Sequence, residues 1–246
     1  LVGAYAALNR NGVAGRVRYR PDAPKIERRL LSPGAAWIVR DILEAHPRPG
    51  TAPDTFDPQS RMRVAWKTGT SYGYRDAWAL GSTRRYTVGV WVGRPDGTPM
   101  PGQYGAMTAL PLLFDTIDSL PTAPGDATPR PPPPDVERVD VCWPLGLPPD
   151  PDAPQLCRKK RTAWALDGVI PPTFAERDSR LWSAGRERID VDATTGQRLT
   201  AECAQPHARK SEDIARWPAL ASPWLSQDAR NAADIKVETE VETEHH

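Results

Sequence analysis

At 246 residues, 39% hydrophobic and 26% charged, the chain is long enough for one large or two modest domains with apolar cores. Its 32 Lys and Arg against 31 Asp and Glu leave a formal charge of +1, which excludes a global field that would recruit nucleic acid or an anionic membrane surface. No apolar run approaches the roughly 18 residues that a membrane-spanning helix needs, and no secretory leader is read at the first residues.

Leu1, Tyr5 and Leu8 fall at i, i+4 and i+7, the stripe of a buried helix stopped by Gly12. No capping residue precedes Leu1, so the chain is expected to start inside a helix and inside a domain. Residues 16–20 and 27–31 read as two short strands around the turn from Pro21 to Pro24. Ser32 offers an N-cap oxygen and Pro33 suits the first helical position; Ile38, Val39, Ile42 and Leu43 then form the apolar stripe of a helix that ends by Pro47. From Met62 to Val92 the apolar period moves towards two, which predicts three strands, the last of them the β-branched run 87–92, TVGVWV. Ala106 to Leu120 reads as a helix with Leu110, Leu113, Phe114 and Ile117 on one side, its Pro111 tolerable only near the first turn.

Around Pro121 the composition changes. Twelve of the 28 prolines lie between Pro121 and Pro154, with PRPPPP at 129–134, and residues 122–138 are expected to be a stiff extended connector. Beyond it Thr173 and Glu176 make a capping box for a helix that buries Phe174, Leu181 and Trp182 and stops at Gly185. Residues 189–191 and 197–200 flank a hairpin turn at Thr195-Gly196, and 211–224 reads as a short amphipathic helix. Residues 231–246 are expected to be a disordered tail. The expected class is α+β: residues 1–121 as one domain with an antiparallel sheet and flanking helices, then the connector, then a small mixed α/β module at 139–230.

The stretch WKTGTSYGYRDAWALG, 66–81, concentrates chemistry on a strand. Thr68 and Thr70 share one strand face, so two hydroxyls can grip one carboxylate; Lys67 adds a charge that stabilises developing negative charge, and Gly69 admits a substrate backbone without a Cβ in the way. Asp76 and Arg75 are read as a local ion pair that shapes the loop. Trp66, Trp78 and Trp91 are read as core residues rather than ligand platforms. His46, His207, His245 and His246 show no metal-ligand spacing, and no cofactor or metal is expected. Ala-Trp-Ala-Leu occurs at 77–80 and again at 163–166, an echo between two strands rather than a repeat.

K-T-G on a strand is one signature of the serine penicillin-recognising enzymes. The longer run KTGTSYGYRDAWALGSTRRYTVGVWVG resembles the transpeptidase domain of class A penicillin-binding proteins. VCWPLG at 141–146, RTAWALDGVIPPTFAERD at 161–178 and IARWPALASPWL at 214–225 resemble the region that follows that domain. The resemblance covers most of residues 1–225. It implies the C-terminal half of a serine transpeptidase fold, with Lys67, Thr68, Gly69 and Thr70 as catalytic groups and Thr68, Thr70 and Ser71 holding the substrate. It also implies that the Thr70 N–H is one oxyanion donor and that the reaction passes through a serine acyl-enzyme.

That serine is absent from the chain: no serine stands in S-x-x-K or S-x-N, and Ser60-Arg61-Met62-Arg63 has arginine where lysine is needed. Both motifs, and a glycosyltransferase domain, are expected upstream, so the chain alone is expected to be inactive. The implied partners are peptidoglycan stem peptides and β-lactams, the implied place the periplasmic side of a bacterial inner membrane, with an anchor outside this segment. A second class stays open, a binding or scaffolding module in which 139–230 docks a periplasmic protein or peptidoglycan. Cys142 and Cys157 enclose a short proline-rich loop, and on the oxidising side that the resemblance implies they are a candidate disulfide. Cys203 pairing with either of them, or three free thiols, are the alternatives.

Overall fold

The computed structural model describes residues 1–49, 62–170, 186–199 and 208–216. They fall into two compact units, Leu1–Val136 and Glu137–His246. The expected helix at 173–185, residues 217–246, Ser60 and Cys203 lie outside the described residues.

Unit 1 opens with a single helical turn, α1 (Val2–Tyr5), continued by a 3₁₀ turn at Ala6–Asn9. A short antiparallel pair follows, β1 (Val13–Gly15) and β2 (Glu27–Arg29). The first strand therefore lies ahead of the expected 16–20. Gly12 explains the shift: it sits at φ +85° against the Leu31 carbonyl, and its oxygen accepts the N–H groups of Leu30 and Leu31, so the pairing starts at once.

In α2 (Pro33–Glu44) the cap is as read, with the Ser32 hydroxyl accepting the Ala35 N–H at 3.1 Å and Pro33 in the first turn. The buried face is not the expected one. Gly34, Ala36 and Arg40 face inward, while Val39 and Ile42 of the expected stripe are 40% and 53% exposed. The cause is an internal ion pair: Arg40 Nε donates to Glu44 at 2.6 Å with both side chains almost fully buried, and Arg40 Nη1 donates to the Thr83 carbonyl at 3.2 Å. A buried charge without these partners would cost several kcal/mol, roughly, so the pair dictates the helix rotation.

β3 (Ala65–Thr70), β4 (Asp76–Ser82) and β5 (Thr87–Gly93) form an antiparallel meander with β4 in the middle. The register sets Thr68 opposite Ala79 and Trp78 opposite Trp91. Small and large residues alternate along β4. Ala77, Ala79 and Gly81 face α3 (Gly105–Asp118), where Leu110, Leu113, Phe114 and Ile117 are all buried. A Cβ on Gly81 would stand 3.0 Å from Ile117 and 3.1 Å from Leu113, which shows how closely the helix lies on the sheet. Each such apolar side chain contributes about 2 kcal/mol as an upper figure. Pro111 sits beyond the first turn but on the exposed side, where water can satisfy the carbonyl that its missing N–H leaves free. Val2 of α1 reaches the sheet at Gly89.

The proline-rich run, expected as a stiff extended connector at 122–138, makes contacts with unit 1. The polar residues between its prolines tie it along unit 1. Asp126 takes the Ala123 N–H at 2.8 Å and Arg85 Nη2 at 2.9 Å, and its carbonyl takes the Arg63 N–H at 3.1 Å. Arg130 Nη2 donates to Asn9 Oδ1 at 3.1 Å, its carbonyl accepts the Trp37 indole N–H at 3.2 Å, and Asp135 accepts the Gly34 N–H at the start of α2. Prolines have no N–H to satisfy, so a few Asp and Arg anchors suffice to seat the whole strap.

In unit 2, β6 (Val136–Trp143) pairs with β7 (Lys159–Leu166), and Cys142 is disulfide-bonded to Cys157 with the Cα atoms 4.7 Å apart. β8 (Arg186–Asp192) pairs antiparallel with β9 (Arg209–Ala215). Ile189, Val191 and Ile214 fill one face, while Arg188–Asp213 and Asp190–Ser211 pair across the other. The expected turn at Thr195-Gly196 is formed, with Asp192 accepting the Thr194 and Thr195 N–H groups and Gly196 at φ +69°. The helix expected from Ser211 is instead strand β9. Its cross-strand charge and hydroxyl pairs overrode a weak helical pattern. The described part of this unit is strands with one 3₁₀ turn at Pro154–Leu156.

Candidate active-site strand

β3 is an edge of the meander, so one side of the K-T-G-T segment is free of strand partners among the described residues. Lys67, Gly69 and Thr70 are exposed and Thr68 half-buried. Thr70 is the best anchored. Its Oγ1 accepts the Gly105 N–H at 3.1 Å, the first amide of α3, and this leaves the hydroxyl hydrogen to donate elsewhere. α3 has 14 residues, so its N-terminal partial positive charge stands directly behind that hydroxyl and favours an anion in front of it. Gly105 makes this approach feasible, since a Cβ there would lie 2.5 Å from the carbonyl oxygens of both Gly69 and Trp78.

Lys67 Nζ donates to the Thr68 carbonyl at 2.8 Å and so lies along the strand. Gly69 has a different status from Gly105. Its nearest neighbour to an added Cβ is Trp78 Cβ at 3.8 Å, ordinary contact, so packing within the chain does not demand a glycine there. Ser71 closes the β3–β4 connection: its Oγ accepts the Asp76 N–H at 2.8 Å and its own N–H donates to the Asp76 carbonyl at 3.0 Å.

The ion pair expected between Asp76 and Arg75 is replaced by other contacts. Asp76 Oδ1 accepts the Trp91 indole N–H at 2.9 Å, and this bond first, then the Ser71 hydroxyl, with Arg75 a smaller influence, holds the carboxyl below the usual carboxylate range. Trp91 is therefore a surface residue, 44% exposed, with its ring centre 6.3 Å from that of Trp78. Trp66 packs edge-on against Phe114 and His46 at 5.9 and 5.8 Å, as a core residue would.

An open cleft of about 630 Å³ begins at Thr70 and Ser71 and is walled by Tyr72, Gly73, Tyr74 and Tyr104. Sequence reasoning did not single out the tyrosines. The signal was present: three aromatics in two glycine-containing loops that follow the K-T-G-T strand, with Tyr72 97% exposed. Gly73 and Tyr74 both adopt left-handed backbone, φ +73° and +56°, and the second is costly for a tyrosine. The Met100 N–H bond to the Tyr74 carbonyl at 2.9 Å holds this shape. Among the described residues no His, Cys, Asp and Glu cluster is arranged to hold a metal, and no helix is long and apolar enough to cross a membrane.

Comparison with known proteins bears on both units. Residues 135–165 match the family model of the penicillin-binding protein 1C linker domain, and residues 180–233 that of the penicillin-binding protein 1C second linker domain. Penicillin-binding protein 1C of Escherichia coli (strain K12) is 43% identical over 237 residues, which is 96% of this chain and 30% of that protein. Penicillin-binding protein 1A of Clostridium perfringens is 28% identical over 158 residues, 63% of this chain and 18% of that one. Among solved structures, penicillin-binding protein 1A from Haemophilus influenzae overlays 69% of this chain and 32% of its own, with 16% identity and a TM-score of 0.46. The chain thus spans about 30% of the length of the E. coli relative. With linker-domain models of that protein matching two segments and the likeness to the E. coli relative running through 96% of this chain, the chain belongs to the class A penicillin-binding protein family, on the side of penicillin-binding protein 1C.

Proposed function

We propose that this chain carries the substrate-binding strand of a peptidoglycan D,D-transpeptidase, and that β3 receives the terminal carboxylate of a stem peptide or a β-lactam. The observation that carries the reading is the Thr70 hydroxyl, which accepts the α3 N-terminal amide and so keeps its own hydrogen for a carboxylate at the open edge. Thr68, two residues back on the same face, is the second hydroxyl. Ser71 lies at the mouth of the cleft beyond them. Lys67 supplies positive charge beside the reacting carbonyl, and the Thr70 N–H one of two oxyanion donors, the other belonging to the serine. Gly69 supports the same reading, because no packing contact among the described residues calls for it.

The serine and its S-x-x-K lysine must come from outside this chain, which holds neither motif. In the proposed reaction the serine oxygen bonds to the penultimate D-Ala carbonyl and the terminal D-Ala leaves with a proton; an acceptor amine then displaces the serine. Residues 1–121 are assigned to the transpeptidase domain and 139–230 to a separate module. The Cys142–Cys157 bond supports work on the oxidising, periplasmic face of an inner membrane.

Lys67→Ala and Thr70→Ala, made in a longer protein that includes the serine, are the test. Each removes a charge-assisted contact worth about 1.5–3 kcal/mol, so acylation by a fluorescent penicillin should slow by about tenfold to a hundredfold, with stability unchanged in Lys67→Ala and lowered by about 1 kcal/mol in Thr70→Ala, which also loses the Gly105 bond. Unaltered acylation rates in both variants would refute the assignment.

A further inference from the structure

Unit 1 holds a second cavity, of about 320 Å³, that shares no residue with the Thr70 cleft. Three guanidinium groups line it, those of Arg40, Arg84 and Arg130, among the apolar walls of Trp37, Pro131 and Pro133. Arg40 is 3% exposed, Arg130 half-buried and Arg84 exposed. The three come from α2, from the turn after β4 and from the proline-rich strap, so the chain has gathered them from distant positions.

The charges around this cavity do not balance. Glu44 is the carboxylate that meets Arg40, and its other oxygen is taken by Arg63 at 3.0 Å. Arg84 Nη1 donates to the Gly125 carbonyl at 3.1 Å, and Arg130 Nη2 to Asn9 Oδ1 at 3.1 Å and the Arg84 carbonyl at 3.2 Å, all of them neutral acceptors. Among the described residues neither of these two arginines has a carboxylate partner. Arg40 spends Nε on Glu44 and Nη1 on the Thr83 carbonyl, and its Nη2 takes no acceptor among the described residues. Of Arg40, Arg63, Arg84 and Arg130, only Arg40 and Arg63 bond a carboxylate, that of Glu44; Asp126, close enough to feel the charge of Arg84, is already bonded to Arg85, and Asp135, at the start of α2, accepts the Gly34 N–H. Burial disfavours the charged forms of Arg40 and Arg130, and the neighbouring arginines add repulsion.

We propose that this cavity is an anion-binding site that takes a compact oxyanion, a phosphate or carboxylate group, between Arg40, Arg84 and Arg130. Guanidinium forks match the paired oxygens of such groups, and the apolar walls strengthen the attraction by excluding water. The volume exceeds that of a single oxyanion, so the group can be the head of a larger ligand. Occupancy would bridge α2, the β4–β5 turn and the strap. The proposal is independent of the transpeptidase reading.

Calorimetric titration of the 246-residue chain tests it, with inorganic phosphate, pyrophosphate and succinate as probes at constant ionic strength and sodium chloride as the blank. We expect saturable one-site binding, tightest for pyrophosphate if the ligand presents phosphate and for succinate if it presents carboxylate, and weakened at least about tenfold by Arg84→Gln. Arg130→Gln should do the same. Since that change also removes the bonds to Asn9, the arginine Nε–H NMR signals of the unaltered chain give a second reading. Saturating anion should move those of Arg40, Arg84 and Arg130 and leave that of Arg18, which bonds its own turn, in place. Heat no greater than the chloride blank with all three probes, full affinity in Arg84→Gln, or arginine signals that move uniformly would each overturn the proposal.

Discussion

Gly105→Ala probes the joint on which the candidate site rests. The added methyl would meet the Gly69 and Trp78 carbonyl oxygens at 2.5 Å and the Gly69 nitrogen at 3.1 Å. Carbon–oxygen contacts settle at about 3.3 Å or more, so two contacts fall short by about 0.8 Å at once. Both oxygens belong to paired strands and cannot swing aside as a side chain would. Overpacking of this kind costs about 1–3 kcal/mol, and displacing the helix start also loses the Gly105 N–H bond to Thr70, about 1 kcal/mol more. The expected loss is therefore about 2–4 kcal/mol, read as a lower urea midpoint by tryptophan fluorescence. Gly69→Ala is the internal control. With 3.8 Å of room it should leave the midpoint nearly unchanged, while in a longer protein that includes the serine it slows acylation by blocking the approach of substrate. A Gly105→Ala chain as stable as the unaltered one, or equal losses from the two substitutions, would refute the packing argument.

The parts legible in the sequence are those whose local pattern and tertiary environment agree. The small-large alternation of DAWALGS made β4 readable because its small residues are the ones that α3 covers, and the apolar stripe of α3 names the face that is buried. Ser32 and Pro33 marked the start of α2, yet the rotation of that helix was hidden, because it depends on Glu44, Arg63 and the Thr83 carbonyl, none of which a periodicity count weighs. The fastening of the strap was hidden for a related reason. A proline count measures stiffness, whereas Asp126, Arg130 and Asp135 decide where a stiff segment is fastened. Of the candidate site, Lys67 to Ser71 was plain from the motif, while the tyrosine walls required the left-handed pair Gly73-Tyr74 and the loop before α3, which only the folded chain brings together.

Intact-mass spectrometry of this chain after incubation with a β-lactam should show no adduct, since its K-T-G strand has no serine to serve; a stable acyl adduct would refute this. Peptide mapping without reductant should recover Cys142 linked to Cys157, and Cys142→Ser should cost about 3 kcal/mol for a loop of this size, whereas free thiols at both positions in oxidised protein would refute the pairing. Alkaline pH should weaken unit 1 through Tyr5. Its hydroxyl donates to the carbonyl of Ala65, the first residue of β3, at 3.1 Å, and burial pushes its pKa up to about 12 against a small opposing pull from Arg40. A pKa raised in the folded state means that the unfolded chain ionises first, so the contribution is intact below about pH 10 and is lost as the pH climbs towards 12. Tyr5→Phe lacks both the bond and the titration. The stability difference between the two chains, taken from urea midpoints along a pH series, should therefore shrink across that interval, with the lysines and other tyrosines cancelling because both chains contain them. A difference that stays constant up to about pH 12 would show that Tyr5 titrates as it does in water, and that its bond is not what fastens α1 to the strand bearing Lys67.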